Sequence, residues 1–297
     1  MVSNKILIIV GPTASGKSDL AVALAQQFNG EVISADSRQV YKGLDIGSGK
    51  ITKREMKGVT HHLLDVANPK RVFSVADFKR LGSKAIADIH KRGKLPIIAG
   101  GTGFYIDALV YNQSIPKVPA NNVLRKELDS KTAPELFDIL STLDPERAEE
   151  IDQHNKVRLI RAIEIATALG SVPKTTKEVQ FDTQWIGVTW PDTVLKERIH
   201  TRLIARMKKG MAAEVAHLHT EGVSWKRMER LGLEYRYVAL LLQKKMTKDE
   251  MLTELETKIR QYAKRQKTWF KRNKDIHWFI PTDTQKIQKL VAQFVQK

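Results

Sequence analysis

The sequence predicts an α/β fold, a parallel sheet flanked by helices, with a helical insertion domain. Three observations lead to this prediction. Apolar β-branched runs alternate with amphipathic helical patterns over residues 1–112, as expected where helices connect parallel strands. Residues 11–18 read GPTASGKS and fit the pattern G-x-x-x-x-G-K-[ST]. Residues 113–185 then show helical patterns without a strand pattern between them.

The octet at residues 11–18 lies in the setting that a phosphate loop needs. The strand predicted at Ile6–Val10 directly precedes it, and the helical pattern Leu20–Ala25 follows. In such a unit, backbone N–H groups and the positive end of the helix dipole converge on an anion. Lys17 supplies a point charge, and the Ser18 hydroxyl can bind a magnesium ion. We therefore predict a P-loop NTPase-like core whose di- or triphosphate site is formed by Gly11, Pro12, Thr13, Ala14, Ser15, Gly16, Lys17 and Ser18.

Two more predicted strands lead into candidate site residues. Residues 31–36 read as a strand that ends at Asp36, and Leu95–Ala99 reads as a buried strand that runs into the turn Gly100–Gly103. Between them, Ser74 can cap a helix that runs to about His90. Ligands of open α/β sheets bind outside the carboxyl ends of the strands, so we expect Asp36 beside the phosphate loop. There it would hold magnesium or act as a general base, whereas an isolated Asp would be a turn or cap residue.

The middle of the chain predicts the insertion. Helical patterns cover Leu124–Leu128, Pro134–Leu143 and Asn155–Leu169. The α/β pattern resumes with Trp185–Val188, and a late strand is predicted near Ile276–Ile280. We therefore divide the chain into a catalytic core, residues 1–112 and 186–297, and a helical insertion, residues 113–185.

Composition excludes several classes of protein. The chain has no Cys, which excludes disulfides and thiolate metal sites and fits a reducing cytoplasm. Its apolar runs are all shorter than the ~18 residues typical of a membrane span. The apolar stretch near the N-terminus runs into the phosphate loop, so we interpret it as a strand rather than a signal peptide. His61 and His62 have no third metal ligand at a recognisable spacing, and we expect packing or hydrogen bonding from them.

Positive charge is concentrated in the last third of the chain. The formal net charge is +17, of which residues 186–297 contribute +12 and residues 113–185 contribute −2. The stretch Lys258–Lys274 holds eight Lys or Arg residues, with aromatic residues between them. Cations neutralise phosphates and aromatic rings stack on bases, so the asymmetry favours a nucleic-acid partner over a merely solvated surface. We expect the aromatic side chains mostly inside and the cations outside.

Three arginines form a second basic pattern. Arg198, Arg202 and Arg206 are spaced four residues apart, which places them on one face of a predicted helix. Such a face binds a pyrophosphate or an RNA backbone in one interpretation, and is simply solvated in the other.

Several segments together resemble the tRNA dimethylallyltransferase (tRNA isopentenyltransferase) family in its short bacterial form. The resemblance spans nearly the whole chain and is far more specific than a phosphate loop alone. The segments that carry it are GPTASGKS at 11–18, ISADSRQVYKGLDIG at 33–47, HHLLD at 61–65, GGTGFYIDAL at 100–109, RLIRAIEI at 158–165, RIHTRLIARMKKGMAAEV at 198–215 and YAKRQKTWFKR at 262–272.

This resemblance implies transfer of a dimethylallyl group from dimethylallyl diphosphate to N6 of the adenosine 3′-adjacent to the anticodon in tRNA. Asp36 would accept the amino proton, while Thr13 and Arg202 would contact and stabilise the diphosphate, with Mg²⁺ at Ser18. The insertion is expected to contact the anticodon stem-loop, and the enzyme is expected to act as a cytoplasmic monomer. The residues implied in tRNA binding are Asp36, Ser37, Arg38, Gln39, Thr102, Arg125, Arg161, Lys264 and Arg265.

Three alternatives stay open at this point. A small-molecule nucleotide or nucleoside kinase shares the phosphate loop and the strand-end Asp36, but it leaves the basic last third unexplained. An isopentenyltransferase acting on free adenine nucleotides likewise makes no use of those cations. The third alternative is a non-catalytic RNA-binding module that has kept a phosphate loop. Asp36 and the intact loop argue against it, because RNA binding alone requires neither.

Overall fold

A computed structural model describes residues 4–296, and its centre is a single sheet. The strands are β1 (Lys5–Val10), β2 (Gly30–Ala35), β3 (His61–His62), β4 (Leu95–Gly100), β5 (Asp182–Val188) and β6 (Ile276–Phe279). They are hydrogen-bonded in the order β3-β2-β4-β1-β5-β6, and every pair is parallel. The predicted parallel sheet is thus confirmed, with a strand of only two residues, β3, at one edge.

Fourteen helices complete the described part of the chain. They are α1 (Lys17–Gln27), α2 (Lys53–Met56), α3 (Val75–Lys91), α4 (Gly103–Val110), α5 (Asn122–Asp129), α6 (Ala133–Leu143), α7 (Pro145–Glu150), α8 (Lys156–Leu169), α9 (Asp192–Lys208), α10 (Met211–Thr220), α11 (Trp225–Leu231), α12 (Leu233–Leu242), α13 (Lys248–Phe270) and α14 (Thr284–Gln296).

The sheet is apolar on both faces, and the alternation along β1 shows why. Ile6, Ile8 and Val10 belong to one apolar cluster, while Leu7 and Ile9 belong to another, because successive strand side chains point to opposite faces. Helices α3 and α4 cover the first face, and α1 and α14 cover the second. Burial on both faces explains the nearly continuous apolar runs of the strands.

Helix α3 begins where the sequence predicts it. The Ser74 side chain accepts a hydrogen bond from the Asp77 backbone N–H, and Asp77 accepts in return from Ser74. This capping box satisfies N–H groups that the first helical turn leaves without partners. The helix ends at Lys91, one residue beyond the predicted His90.

The helices α9–α13 form a third apolar cluster with the segment that follows β2. Val40, Tyr41 and Leu44 of that segment belong to the same cluster as Leu203 of α9 and Met251 of α13. The cationic helices of the last third are thereby attached directly to the chain that leaves the carboxyl end of β2.

Residues 113–178 form a compact unit of their own, separate from the unit of residues 1–112 and 179–297. Its helices α5–α8 share a core that includes Leu136, Leu140 and Leu159. The ends of the unit pair with each other, because Ser114 N donates to Thr176 O at 3.3 Å and Thr176 N donates to Ser114 Oγ at 3.0 Å.

This unit ends at residue 178, seven residues before the predicted boundary at residue 185. Strand β5 begins at Asp182, but its first three residues are exposed or half-buried and polar, and only Trp185–Val188 is buried. The apolar pattern that marks a strand consequently starts later than the strand. Helix α7, with only Ala148 buried, escaped prediction for the same reason.

A buried carboxylate lies near the amino end of β2. Glu31 accepts from His62 Nε2 at 2.7 Å, Arg92 Nη2 at 2.6 Å and Lys94 Nζ at 2.9 Å. Although burial alone would raise it, these donors lower the pKa of Glu31 to about 2. His62 thus hydrogen-bonds, as the sequence suggested, and His61 contacts the Val59 carbonyl through Nδ1 at 2.9 Å.

Candidate active site

The phosphate loop connects β1 to α1 through backbone conformations that glycine permits. Gly16, the residue before α1, has φ 95°, in the left-handed region that other residues rarely adopt. A Cβ atom on Gly11 would lie 2.1 Å from the Val188 carbonyl oxygen, so the loop can pass β5 only with glycine at that position. The octet therefore has the turn that its sequence predicts.

Lys17 is folded back onto the loop. Its Nζ donates to the Pro12 carbonyl at 2.6 Å and approaches Ser15 Oγ at 3.5 Å. Burial of the ammonium, with the positive charge of Arg202 nearby, lowers the pKa of Lys17 to about 7, which the negative charge of Asp36 partly opposes. No carboxylate of residues 4–296 forms an ion pair with this ammonium, which leaves its charge available to an anion.

The three arginines of α9 all reach the site. Arg198 Nε donates to the Ala14 carbonyl at 2.9 Å, and Arg202 donates to Thr13 Oγ1. Arg206 Nη1 donates to the Gly47 carbonyl at 3.1 Å. Burial and the neighbouring Arg206 lower the pKa of Arg202 to about 9, so its guanidinium stays charged at neutral pH. Their face of α9 therefore lies against the phosphate loop and Gly47, although Arg198 itself remains exposed.

Asp36 directly follows β2 and turns the chain. Its Oδ1 accepts from the backbone N–H of Arg38 at 2.8 Å and of Gln39 at 3.3 Å, a local turn typical of Asp. Among residues 4–296, nothing donates to its Oδ2. One oxygen therefore holds the carboxylate in place, and the other is available to a ligand.

The neighbours of Asp36 gather at the same place. Thr102 Oγ1 accepts from the Ser37 backbone N–H at 3.1 Å, which ties the end of β2 to the turn after β4. Gln39 Nε2 donates to the Gly49 carbonyl at 3.3 Å, and Arg38 packs against Gly232. The structure thus brings together four of the residues that the resemblance implies in RNA contact, Ser37, Arg38, Gln39 and Thr102.

One cavity of about 1240 Å³ unites these groups. The phosphate loop from Thr13 to Ser18, Asp36 and the arginines of α9 all line it, and so does Arg265 of α13. Carboxyl ends of parallel strands meet at one edge of a sheet, which is why segments so distant in the sequence converge. Its lining holds ten Lys or Arg side chains against seven Asp or Glu, an excess of positive charge that suits a large anionic ligand.

Two residues of α13 that line the cavity, Gln266 and Tyr262, are absent from the predicted site. Gln266 is 6 % exposed and contacts both the phosphate loop and the turn after β4. Tyr262 interacts with Thr102 through its hydroxyl, and burial together with the charge of Asp36 raises the pKa of Tyr262 to about 12. Both lie in the stretch Lys258–Lys274, whose pattern predicts cations outside and aromatic side chains mostly inside. A signal was present for Gln266, because helical spacing places it on the same face as Ala263 and Phe270.

Lys264 and Arg265 lie on the outer face of α13, as predicted for the cations of this stretch. The Arg265 guanidinium lies 5.7 Å from the centre of the Tyr262 ring. Ile259, Ala263 and Phe270 occupy the buried face. Contact with RNA stays a prediction for both cations.

Arg125 and Arg161 lie in the insertion and share a carboxylate. Arg125 Nη2 donates to Glu164 Oε2 at 2.7 Å, Arg161 donates to the same oxygen, and the Asn121 backbone N–H donates to Oε1 at 2.6 Å. These donors, chiefly Arg125, outweigh the effect of burial and lower the pKa of Glu164 to about 2. The side chains of Arg125 and Arg161 nevertheless remain 41 % and 34 % exposed. Their role in RNA binding stays a prediction, and it would come in addition to their pairing with Glu164.

The donor set suits a magnesium ion only together with a diphosphate. Residues 4–296 contain no group of three or more His, Cys, Asp or Glu side chains that could hold a metal. Ser18 offers an exposed hydroxyl in the cavity. Magnesium commonly takes one or two protein ligands and fills its other positions with phosphate oxygens and water, and the single hydroxyl fits that pattern.

None of the described helices is long and apolar enough to cross a membrane.

Comparison with known proteins places this chain in a family. The IPP transferase family model matches residues 39–273. A protein of Trichlorobacter lovleyi called tRNA dimethylallyltransferase 2 is 43 % identical over 93 % of this chain and 92 % of its own. The tRNA dimethylallyltransferase of Anoxybacillus flavithermus is 37 % identical over 98 % of this chain and 95 % of its own.

Solved structures agree with the sequence comparison. The tRNA isopentenylpyrophosphate transferase of Bacillus halodurans superposes with a TM-score of 0.76 at 36 % identity, covering 99 % of this chain and 97 % of that one. A eukaryotic dimethylallyltransferase acting on tRNA superposes with a TM-score of 0.79 at 26 % identity, covering 99 % and 78 %. With a matched model over most of its length and relatives of this identity, the chain belongs to the IPP transferase family.

Proposed function

We propose that this chain transfers a dimethylallyl group from dimethylallyl diphosphate to N6 of the adenosine 3′-adjacent to the anticodon of tRNA, releasing diphosphate. One observation carries the proposal. An anion site and a carboxylate with an available oxygen open onto one cavity of about 1240 Å³. Family membership and the names of the relatives support the choice of reaction.

The phosphate loop would bind the diphosphate as a leaving group. When the bond between the allylic carbon and the diphosphate oxygen breaks, its electron pair stays on that oxygen. Backbone N–H groups of the loop, Lys17, the Thr13 hydroxyl and Arg202 would stabilise the negative charge that develops there. The guanidinium of Arg202 is already held by Thr13, so little rearrangement is needed.

Asp36 would act on the nucleophile. The lone pair of an adenine amino group is delocalised into the ring, so N6 attacks the allylic carbon well only as it loses a proton. The Asp36 carboxylate would accept that proton while the nitrogen–carbon bond forms, which contributes ~10²–10⁴-fold in rate for a positioned base. The base must leave the anticodon stack to reach the cavity, so we propose that the adenosine is flipped out.

Magnesium is the proposed metal, held by Ser18 and the diphosphate, and its charge would assist departure of the leaving group. The proposed RNA contacts from the core are Ser37, Arg38, Gln39, Thr102, Lys264 and Arg265, and those from the insertion are Arg125 and Arg161. The excess of Lys and Arg over Asp and Glu in the cavity lining supports the contacts proposed around the cavity. The enzyme would act as a cytoplasmic monomer.

Incubation with unmodified tRNA and dimethylallyl diphosphate, followed by nucleoside mass spectrometry, tests the function directly. We expect an adenosine heavier by one dimethylallyl group at the position next to the anticodon. Parallel reactions with ATP and nucleosides, and with free adenine nucleotides and the same donor, test the alternatives. Phosphorylated nucleosides, or prenylated nucleotides without modified tRNA, would replace the proposal by a kinase or by an enzyme of free nucleotides.

A further inference from the structure

We infer that Gln266 is the positioning residue that sets the shape of the phosphate loop for the diphosphate. Its Oε1 accepts from the Thr13 backbone N–H at 2.8 Å, and its Nε2 donates to the Gly101 carbonyl at 2.9 Å. One side chain of α13 thus joins the loop after β1 to the turn after β4. The kinetic and RNA-binding parts of the test below rest on the proposed function, whereas the measurement of diphosphate affinity does not.

Chemistry explains why this position needs an amide. The two partners are a donor and an acceptor, and glutamine presents the complementary atom to each of them. A carboxylate would place an acceptor oxygen against the Gly101 carbonyl oxygen, and an apolar side chain would leave both backbone groups without partners. Because Gln266 is 6 % exposed, water replaces those hydrogen bonds poorly, and such orphaned buried groups are costly.

Thr13 is the residue through which Gln266 acts. Its backbone N–H is held by Gln266, and its hydroxyl is held by Arg202. Two helices, α13 and α9, therefore fix one loop residue from two directions. If the amide is lost, Thr13 is free to turn, and the hydroxyl that Arg202 holds moves away from the diphosphate oxygens. Gln266 itself need not touch the ligand.

A substitution at Gly101 can disrupt the hydrogen bond with Gln266 without changing Gln266. A Cβ atom on Gly101 would lie 2.1 Å from Gln266 Nε2, so alanine there would displace the amide without altering residue 266. The φ angle of Gly101 lies outside the left-handed region, so alanine at this position meets the amide rather than a backbone penalty.

The first experiment compares Gln266→Met with the control Gln261→Met, an exposed residue of the same helix. Affinity for inorganic diphosphate is measured by calorimetry, affinity for an anticodon stem-loop RNA by fluorescence, and stability by thermal melting. For Gln266→Met we expect diphosphate affinity to fall about tenfold and RNA affinity to stay within about twofold. With dimethylallyl diphosphate, kcat should fall as well as KM rise, since Thr13 is expected to matter most in the transition state.

The second experiment is a double-mutant cycle with Gly101→Ala and Gln266→Ala. Gly101→Ala alone should weaken diphosphate binding, and in the Gln266→Ala background it should have almost no further effect, because the displaced group is gone. If Gln266→Met does not fold, Gly101→Ala carries the test alone.

Diphosphate affinities of Gln266→Met and Gly101→Ala that match the wild type would overturn the inference. Independent, multiplying effects in the cycle would do so too, as would a lowered melting temperature with unchanged diphosphate affinity. Absence of prenyl transfer by the wild type would remove the proposed function instead, because diphosphate binding by the variants is measured without it.

Discussion

Asp36 is the residue on which the proposed chemistry depends most. We expect Asp36→Ala to lower turnover by about 10²-fold or more, because the amino group loses its proton acceptor. Binding of tRNA should stay within a few fold, since the carboxylate is one contact among many. Single-turnover transfer and a filter-binding assay measure the two quantities. Turnover near that of the wild type would show that another group takes the proton.

Lys17 predicts a dependence of diphosphate affinity on pH. Its pKa of about 7 in the free protein means that the ammonium loses its proton as pH rises above neutrality. Because the anion favours the charged form, affinity should fall by up to about tenfold per pH unit above 7, with proton uptake on binding. Calorimetry in buffers of different ionisation enthalpy measures that uptake.

Lys17→Arg is the control, because arginine keeps its charge across this range. Whatever pH dependence the variant retains belongs to ionisation of diphosphate itself. Equal proton uptake by the variant and the wild type would assign the effect to a group other than Lys17.

Single residues were predictable where a short segment encodes the geometry. The phosphate loop and the spacing of Arg198, Arg202 and Arg206 are local patterns, and their placement follows from one turn or one helix. Gln266 was missed because its partners lie 253 and 165 positions away in the chain. A hydrogen bond between segments so far apart leaves no pattern in the sequence, so helical spacing can indicate that Gln266 is buried but not which groups it binds.

At the scale of elements, α13 predicts salt-dependent RNA binding. Each neutralised phosphate contributes roughly −0.7 to −0.9 to the slope of log K against log salt concentration. The double variant Lys264→Gln/Arg265→Gln should therefore reduce the slope by up to ~1–2 and leave diphosphate affinity unchanged. An equal loss of charge on α3, Lys84→Gln/Lys91→Gln, should leave the slope almost as it was. Identical slopes in both double variants would make the α13 cations a solvated face.

The amino end of β2 predicts a loss of stability in acid. The pKa of Glu31 is lowered from its ordinary value near 4.5 to about 2. The ionised carboxylate therefore stabilises the fold above pH 4.5. That contribution is lost as pH falls from 4.5 towards 2. Glu31→Gln should lower the free energy of unfolding at pH 7 by about 2 kcal/mol, and should flatten the decline in acid.

Urea unfolding at several pH values measures both effects, with the exposed Glu221→Gln as control. If the free energy of unfolding of Glu31→Gln falls in acid as steeply as that of the wild type, another carboxylate must cause the loss of stability. This cluster has no local pattern in the sequence either, because Glu31, His62 and the pair Arg92 and Lys94 come from three separate segments.

At the scale of the whole molecule, the insertion should fold by itself. Residues 113–178 have their own apolar core, and their ends are hydrogen-bonded to each other. The isolated segment should be helical by circular dichroism and should melt cooperatively. Leu159→Ala, in its core, should cost about 3 kcal/mol and abolish the transition in so small a unit. Val157→Ala, at a side chain that is 78 % exposed, should leave it unchanged. A helical segment without a cooperative transition would contradict this prediction.

The pairing of Ser114 with Thr176 has an evolutionary consequence. The insertion leaves the core and returns to it at one point, so it behaves as a closed loop. The entropic cost of closing such a loop grows only slowly with its length. During evolution, residues can therefore be exchanged, deleted or inserted within the insertion while its two paired ends, which we call the neck, stay the same. We expect relatives to differ in length here far more than within the strands, and we expect grafts between species to succeed when they are joined at this neck.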